Sequence, residues 1–258
     1  MRREKTNYII QSVSHALDVL EQFSGEHDEL GVTELSKRLK LHKNNVFRLL
    51  ATLESRGYIE QNKATENYRL GIGCLQLGQT FVAHMGLLQQ AHPIIESLAE
   101  DASETAFVAV LRKACVVAVD AVEARHPVRM SSRIGEALPL HCTAAGKVQL
   151  AFISDADLRQ ALTAGLAKFT DRTITDQQRL QQQLKQIAEA GHAVELGEHI
   201  VDVHSIAVPI RDYTRNVVGS LAVSGPAYRM SPERIEKEIA PQLTKAGREL
   251  SNRLGYKV

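Results

Sequence analysis

From Leu30 to Arg56 the apolar residues fall three and four positions apart, and the basic and amide residues collect on the opposite side. Val46, Leu49, Leu50 and Leu53 stand at i, i+3, i+4, i+7, the stripe of a helix with one buried face. A shorter helix precedes it, with Leu35 and Leu39 inward, Thr33 as its expected N-cap and Leu41 in the turn. The outward face of the second helix carries Lys43, Asn44, Asn45 and Arg48. Arg can pair with guanine, Asn with adenine and Lys with phosphate, so the pattern reads as a helix-turn-helix; an ordinary helical hairpin with a solvated face has the same spacing. The next fourteen or so residues favour the first reading. Gly57 closes the helix, YIEQ reads as a strand, NKATEN as a turn and YRL as the return strand, the wing of a winged helix. Lys63 and Arg69 on that wing are expected to reach backbone phosphates.

Upstream, SVSHALDVLEQFS is expected to form the first helix of this unit, with Val13, Ala16, Leu17, Leu20 and Phe23 on one face. Arg2, Arg3 and Lys5 in the polar N-terminal stretch are further candidates to touch DNA. Residues 71–88 are apolar through Leu75, Leu77, Phe81, Val82 and Met85, on more than one helical face. They predict a linker helix that needs a partner, a dimer seam.

Beyond residue 88 the pattern changes. AHPIIESLAEDASE reads as a helix with Pro93 in its first turn. TAFVAVLR, ACVVAVDAVE and PVRMSSR read as strands, TAAGKVQLAFI, DADLRQAL and residues 176–190 as helices, the last capped by Asp176 and ended by Gly191. HAVELG, HSIAVPIRD and VVGSLAVSG return to strand. A closing helix opens with Ser231 and Pro232. This order describes an α+β fold, an antiparallel sheet flanked by helices, similar to small-molecule sensing domains of the GAF or PAS kind. The expected division is 1–72, a winged helix-turn-helix domain; 73–88, the linker helix; and 89–258, the sensing domain.

Composition adds limits. A chain of 258 residues is comfortable for two domains, and 44% hydrophobic with 24% charged residues describes a globular protein with ample core. The net charge of +1 neither implies nor excludes nucleic acid, but Lys37, Arg38, Lys40, Lys43 and Arg48 lie between Glu34 and Glu54 with no acid among them. Cys74, Cys115 and Cys142 form no CxxC pair or disulfide framework, which points to a reducing cytoplasm. No signal peptide is visible, and no apolar run approaches the ~20 residues that span a bilayer. A mild Gln run at 177–186 reads as an exposed helix face.

Two constellations invite other chemistry. His199, Asp202 and His204, with His141 and Cys142, include zinc-ligating types, and a metal-sensing regulator is the alternative they offer; their spacing matches no closed zinc motif, and solvated loop histidines fit as well. His141–Cys142 suggests a thiol nucleophile, but adjacent residues seldom face one substrate and no orienting third residue is evident. With no GxSxG, P-loop or dinucleotide fingerprint, neither an enzyme nor a cofactor is expected.

The whole chain resembles the IclR-type bacterial transcriptional regulators. The N-terminal half carries the likeness in SVSHALDVLEQFS, LGVTELSKRLKLHKNNVFRLLATLESRGYIEQ and YRLG, the C-terminal half in LPLHCTAAGKVQLA, AGHAVELGEH, IAVPIRD and VVGSLAVSGP. The resemblance implies a winged-helix DNA-binding domain joined to a GAF-like effector domain, and repressors or activators that bind palindromic operators as homodimers or homotetramers. It implies effectors that are small organic or aromatic acids. Carried over by position, the effector pocket would be lined by Met130, Leu138, Ala144, Ala145, Glu195, Val203, Ser205, Ala222 and Ser224. The residue types agree: an apolar wall, two serine hydroxyls, and free N–H groups expected at Thr143–Gly146 where loop becomes helix. Several positions depart from the family's habit. Glu195 stands where Asp is common, Ser205 where Cys is, and Asp202 and Lys40 where Gly is. Asn44 and Asn45 replace Ser and Thr, which implies a different operator sequence.

Overall fold

The computed structural model describes residues 9–24, 29–84, 86–131, 134–163 and 165–257. It divides into two units, Met1–His84 and Met85–Val258. Arg2, Arg3 and Lys5 lie outside the described residues.

The first unit runs α1 (Gln11–Glu21), a 3-10 turn (Gln22–Ser24), α2 (Val32–Leu39), α3 (Lys43–Ser55), β1 (Ile59–Gln61), β2 (Tyr68–Leu70) and α4 (Ile72–His84). Val19, Phe23, Leu30, Leu35, Val46, Leu50, Leu53, Ile59 and Tyr68 form its core, with Leu39, Leu41 and Leu49 packed against it. α1 is rotated from the expected face. Val19 is fully buried, whereas Val13 and Leu17 are each 54% exposed. The helix is apolar on two sides, and Ala16, Val19, Leu20 and Phe23 make the stripe that meets α2 and α3. Thr33 does not cap α2: the cap position is Gly31, with no side-chain bond, and Thr33 is exposed in the first turn.

Both helices of the motif end alike. Lys40 (φ +54°) and Gly57 (φ +74°) are left-handed. Lys40 N–H donates to Lys37 O and Leu41 N–H to Ser36 O; Gly57 N–H donates to Glu54 O and Tyr58 N–H to Leu53 O. This paired closure satisfies the last helical carbonyls and requires a left-handed residue after the helix. β1 and β2 then pair antiparallel, Ile59 opposite Leu70 and Glu60 opposite Arg69.

The second unit is built on a six-stranded antiparallel sheet of order β5-β4-β3-β8-β7-β6: β3 (Thr105–Arg112), β4 (Cys115–Val122), β5 (Ala137–Pro139), β6 (Ala193–Leu196), β7 (Val203–Arg211) and β8 (Val217–Pro226). Alternation sends Val108, Ile206, Val208, Leu221 and Val223 to one face, against Ile95 and Leu98 of α5 (Gly86–Ala102) and Leu243 and Leu250 of α10 (Ala240–Arg253). Phe107, Ala109, Ala207 and Ala222 face the other way, against Val148 of α6 (Ala144–Leu150) and Leu180, Leu184 and Ile187 of α8 (Gln177–Ala190). A short α7 (Asp155–Ala161) follows α6.

Three expectations change, and a fourth is narrowed. Helical residues run over Ile72–His84 and Gly86–Ala102, on either side of residue 85, and Pro93 lies inside the second run and not in a first turn. The segment 127–133 is no strand over its described residues 127–131; Arg129 and Ser131 bond back to Glu123, and the place beside β4 is taken by β5. The closing helix is interrupted: after one turn, α9 (Pro232–Arg234), residues Ile235–Ile239 are π-helical before α10. Pro241 explains this, because its ring clashes with the carbonyl four residues back and it cannot donate, and a wider turn relieves both. Finally, with Asp202 where glycine is common, the turn had either to be left-handed there or to differ in shape, and it differs: Asp202 is not left-handed, and Gly197 is, at φ +77°. No helix among the described residues is long and apolar enough to cross a membrane.

Candidate nucleic-acid interface and ligand cavity

α3 presents Lys43, Asn44, Asn45 and Arg48 to solvent while Val46, Leu50 and Leu53 are buried beneath them. Thr52 Oγ1 donates to Arg48 O and Ser55 Oγ to Thr52 O, so these hydroxyls bond to their own helix. One large apolar residue on this helix is exposed and lies outside the expected set: Phe47, 56% exposed. Its position outside the 46/49/50/53 stripe is the sequence signal for it. On the wing Lys63 is exposed, but Arg69 Nε is held across the strand pair by Glu60 Oε1 at 2.7 Å. Arg38 is likewise paired with Glu34 at 2.8 Å, one turn away on α2.

In the second unit a cavity of about 160 Å³ opens between the sheet, the start of α6, residues 130–131 and 136, and residues 199–200. A cavity of roughly 150 Å³ holds one benzene ring. Its floor is a row across four strands: Glu195 pairs with Ser205, Ser205 with Ser224, and Ser224 with Thr105. Ser205 Oγ and Ser224 Oγ are 2.8 Å apart, and Thr105 Oγ1 donates to Met130 O at 2.6 Å. Of the expected residues, Met130, Leu138, Ala144, Ala145, Glu195, Val203, Ser205 and Ser224 line this space. Ala222 does not. It stands in the next row, Phe107–Ala222–Ala207–Ala193, fully buried under α6, because one step along a strand and its neighbours moves a residue deeper on the same face only every second position. The lining also includes Thr105, Phe107, Ser131, Glu136, Thr143, His199 and Ile200. The alternation of TAFVAVLR placed Thr105 and Phe107 together, but nothing local said which face would meet a cavity.

The N–H groups at the start of α6 are less available than expected. Thr143 caps the helix: its Oγ1 accepts from Gly146 N–H at 3.1 Å and donates to Pro139 O at 2.6 Å. Glu195 Oε1 accepts from the N–H groups of Glu198 and His199. Burial pushes its carboxyl up to about 7, against those two N–H groups and Lys147, which act the other way. Lys147 is wholly buried, and its Nζ donates to Glu198 Oε1 at 2.5 Å and to Val194 O at 3.2 Å. No Lys or Arg is among the described residues lining the cavity. His199 is, and burial holds its pKa down, with Glu136 opposing and His141 adding to that effect.

The other constellations separate. His199 faces the cavity, while His204 lies on the opposite face of β7 with Nδ1 2.7 Å from Met230 O. Asp202 is exposed in the preceding turn, and among the described residues no three His, Cys, Asp or Glu gather as a metal would need. Cys142 is fully buried; burial first, then Glu195 and Glu198, push its thiol up to about 12, far from a nucleophilic thiolate. His141 Nε2 is bonded to Ala167 O instead.

A winged helix-turn-helix and a separate α+β unit with an internal cavity define a class, the two-unit transcriptional regulators. The chain belongs to the IclR family of bacterial transcriptional regulators: residues 12–63 match the IclR helix-turn-helix domain and 79–252 the bacterial transcriptional regulator IclR C-terminal domain. It is 33% identical to the HTH-type transcriptional regulator XynR of Escherichia coli over 96% of this chain and 98% of that one. The crystal structure of an IclR transcriptional regulator from Alicyclobacillus acidocaldarius superposes with a TM-score of 0.86 at 25% identity, covering 96% of this chain and all of that one. An IclR homologue from Microbacterium hydrocarbonoxydans, crystallised with 4-hydroxybenzoate, shares the fold at TM-score 0.84 and 22% identity, over 95% and 99% of the two chains. Like its relatives, this chain is a DNA-binding regulator and not an enzyme.

Proposed function

We propose that the chain is a ligand-responsive regulator in which a small organic or aromatic acid occupies the cavity and controls binding to a palindromic operator in the cytoplasm. Residues 1–72 bind DNA, 73–88 connect, and 89–258 sense the effector. Thr33, Lys43, Asn44, Asn45, Arg48, Lys63 and Arg69 serve the duplex, Lys63 and Arg69 at phosphates and α3 at base edges. The observation that carries the effector reading is the polar row Glu195–Ser205–Ser224–Thr105, set between apolar walls in a space the size of one ring. A ligand carboxylate accepts from the serine pair and from Glu195 in its protonated form, while Phe107, Met130, Leu138 and Val203 cover the ring. The 4-hydroxybenzoate bound by a protein of the same fold supports that ligand class.

The operating unit is a homodimer or a pair of them. Ile72, Leu75 and Leu77 on α4 and Val13 and Leu17 on α1 are all more than half exposed, which fits a seam between copies. Ligand binding then acts on operator affinity through the difference in ligand affinity between two arrangements of paired winged helices.

Thermal unfolding of the full chain with 4-hydroxybenzoate and a panel of small carboxylates tests this, since a binder raises the midpoint by mass action. At least one acid is expected to raise it in the native chain and not in Ser224→Leu, which still binds operator. No response to any acid sinks the ligand class. Loss of operator binding together with the response would mean that Ser224 serves folding and that no dedicated pocket exists.

A further inference from the structure

We infer that Phe47 is a specificity-determining residue, packing its ring on the 5-methyl group of a thymine in each operator half-site. The inference rests on α3 as the recognition helix. Phe47 is 56% exposed on a helix whose other exposed residues are Lys43, Asn44, Asn45 and Arg48 in its first two turns and Ala51, Thr52, Glu54 and Ser55 beyond them. Its backbone carries no strain, and the core beneath it is closed by Val46, Leu50 and Leu53 without it. An aromatic ring left in water on a surface that is otherwise polar has apolar area to bury.

Charge decides what covers it. The stretch from Lys37 to Arg48 holds five basic residues and no acid, so a polyanion is the complementary partner. On the major-groove edge of the four ordinary base pairs, the apolar group is the thymine methyl. Phe47 sits in the second turn of α3, within the part of a recognition helix that reaches base edges. Asn44 stands three residues before it on the same side, the spacing at which two side chains of one helix are neighbours. Asparagine reads adenine through N6 and N7, and the partner thymine of that same pair presents its methyl alongside. Asn44 and Phe47 together therefore read an A·T pair or two adjoining ones: the amide takes the adenine edge, and the ring takes the methyl. Thr52 and Ser55, which lie further along, are turned back to their own carbonyls and do not compete for these bases.

The test uses the full chain. An operator is selected from randomised duplex DNA, and each thymine is then replaced singly by deoxyuridine, which removes only the methyl. Binding of the native chain is expected to fall about fourfold at one symmetric position per half-site, the value of one buried methyl-sized group. Phe47→Ala is expected to bind the thymine operator about as weakly as the native chain binds one with uracil at both symmetric positions, and to be indifferent to uracil there. Phe47→Leu, which keeps an apolar contact, retains part of the difference. A flat uracil scan for the native chain, a selected site without thymine, or a Phe47→Ala profile parallel to the native one overturns the inference. So does a Phe47→Ala chain that changes oligomeric state but not operator binding, since the face would then meet a second copy. Arg48→Ala separates the two levels: if it too leaves operator binding unchanged, α3 is not the reading helix at all, whereas a large Arg48 effect with a flat scan removes only the role of Phe47.

Discussion

Lys147 Nζ and Glu198 Oε1 meet at 2.5 Å inside the effector unit, the lysine side chain fully shielded and the glutamate nearly so. The bond joins α6 to the turn after β6, beside the cavity, and its second carboxylate oxygen is buried without a partner among the described residues. Removing the cation leaves an uncompensated buried charge. Lys147→Met is expected to destabilise the effector unit by about 3–5 kcal/mol in urea unfolding. Adding Glu198→Gln should recover more than half of that loss. A single-variant loss below about 1 kcal/mol would show that the pair does not secure α6.

Glu195 makes stability depend on pH. Its carboxyl lies at about 7 in the fold, raised by burial from an ordinary 4.5. Between those values the folded state keeps a proton that the unfolded chain has released. Stability is therefore highest at the acid end, declines as pH rises across this window, and the decline is complete above it. The difference corresponds to about 3 kcal/mol. Glu195→Gln, neutral throughout, should flatten this slope, as denaturant midpoints across the window would reveal. An unchanged slope would place the raised carboxyl elsewhere.

Gly146 lets α6 start against the preceding loop. A Cβ there would run into Leu140 O, a backbone atom with little room to move. Gly146→Ala is expected to cost about 1–3 kcal/mol and to weaken ligand binding by shifting the cavity roof. Calorimetric unfolding and ligand titration read the two effects separately, and a neutral substitution would contradict the packing.

Lys40 closes α2 in the left-handed conformation at φ +54°. An L-residue bears about 1–2 kcal/mol there that glycine does not, partly offset by glycine's freedom when unfolded. Lys40→Gly should raise the stability of the first unit by up to about 1 kcal/mol in thermal unfolding. A destabilised variant would mean that the lysine side chain contributes more than its backbone costs.

Arg48 is exposed on α3. Arg48→Ala should weaken operator binding at least about tenfold at physiological salt in a gel-shift assay, the lower part of the range for one bidentate base contact. Unchanged affinity would remove α3 from the major groove.

Periodicity within the sequence determined most of the elements, because helical and strand repeats record which side of each segment meets a core. The buried side of α3, the hairpin after Gly57, the caps at Asp176 and Ser231, and strands β3, β4, β6, β7 and β8 were all legible in the sequence, whereas the cap at Thr143 was not. Where a segment was apolar on two sides, as in α1 and the stretch after Gly71, periodicity could not choose, and packing against α2 and α3 decided that Val19 goes in and Val13 stays out. Strand pairing lay wholly beyond local pattern. Thr105 meets Ser224 and Ser224 meets Ser205 across chain separations of 119 and 19 residues, and only that register gathers them with Glu195 into one polar row while leaving Ala222 in the core beneath. The sequence set which face each residue takes. The tertiary structure alone set which residues stand side by side, since a two-residue slip between strands would have kept every residue on its face and dispersed the site.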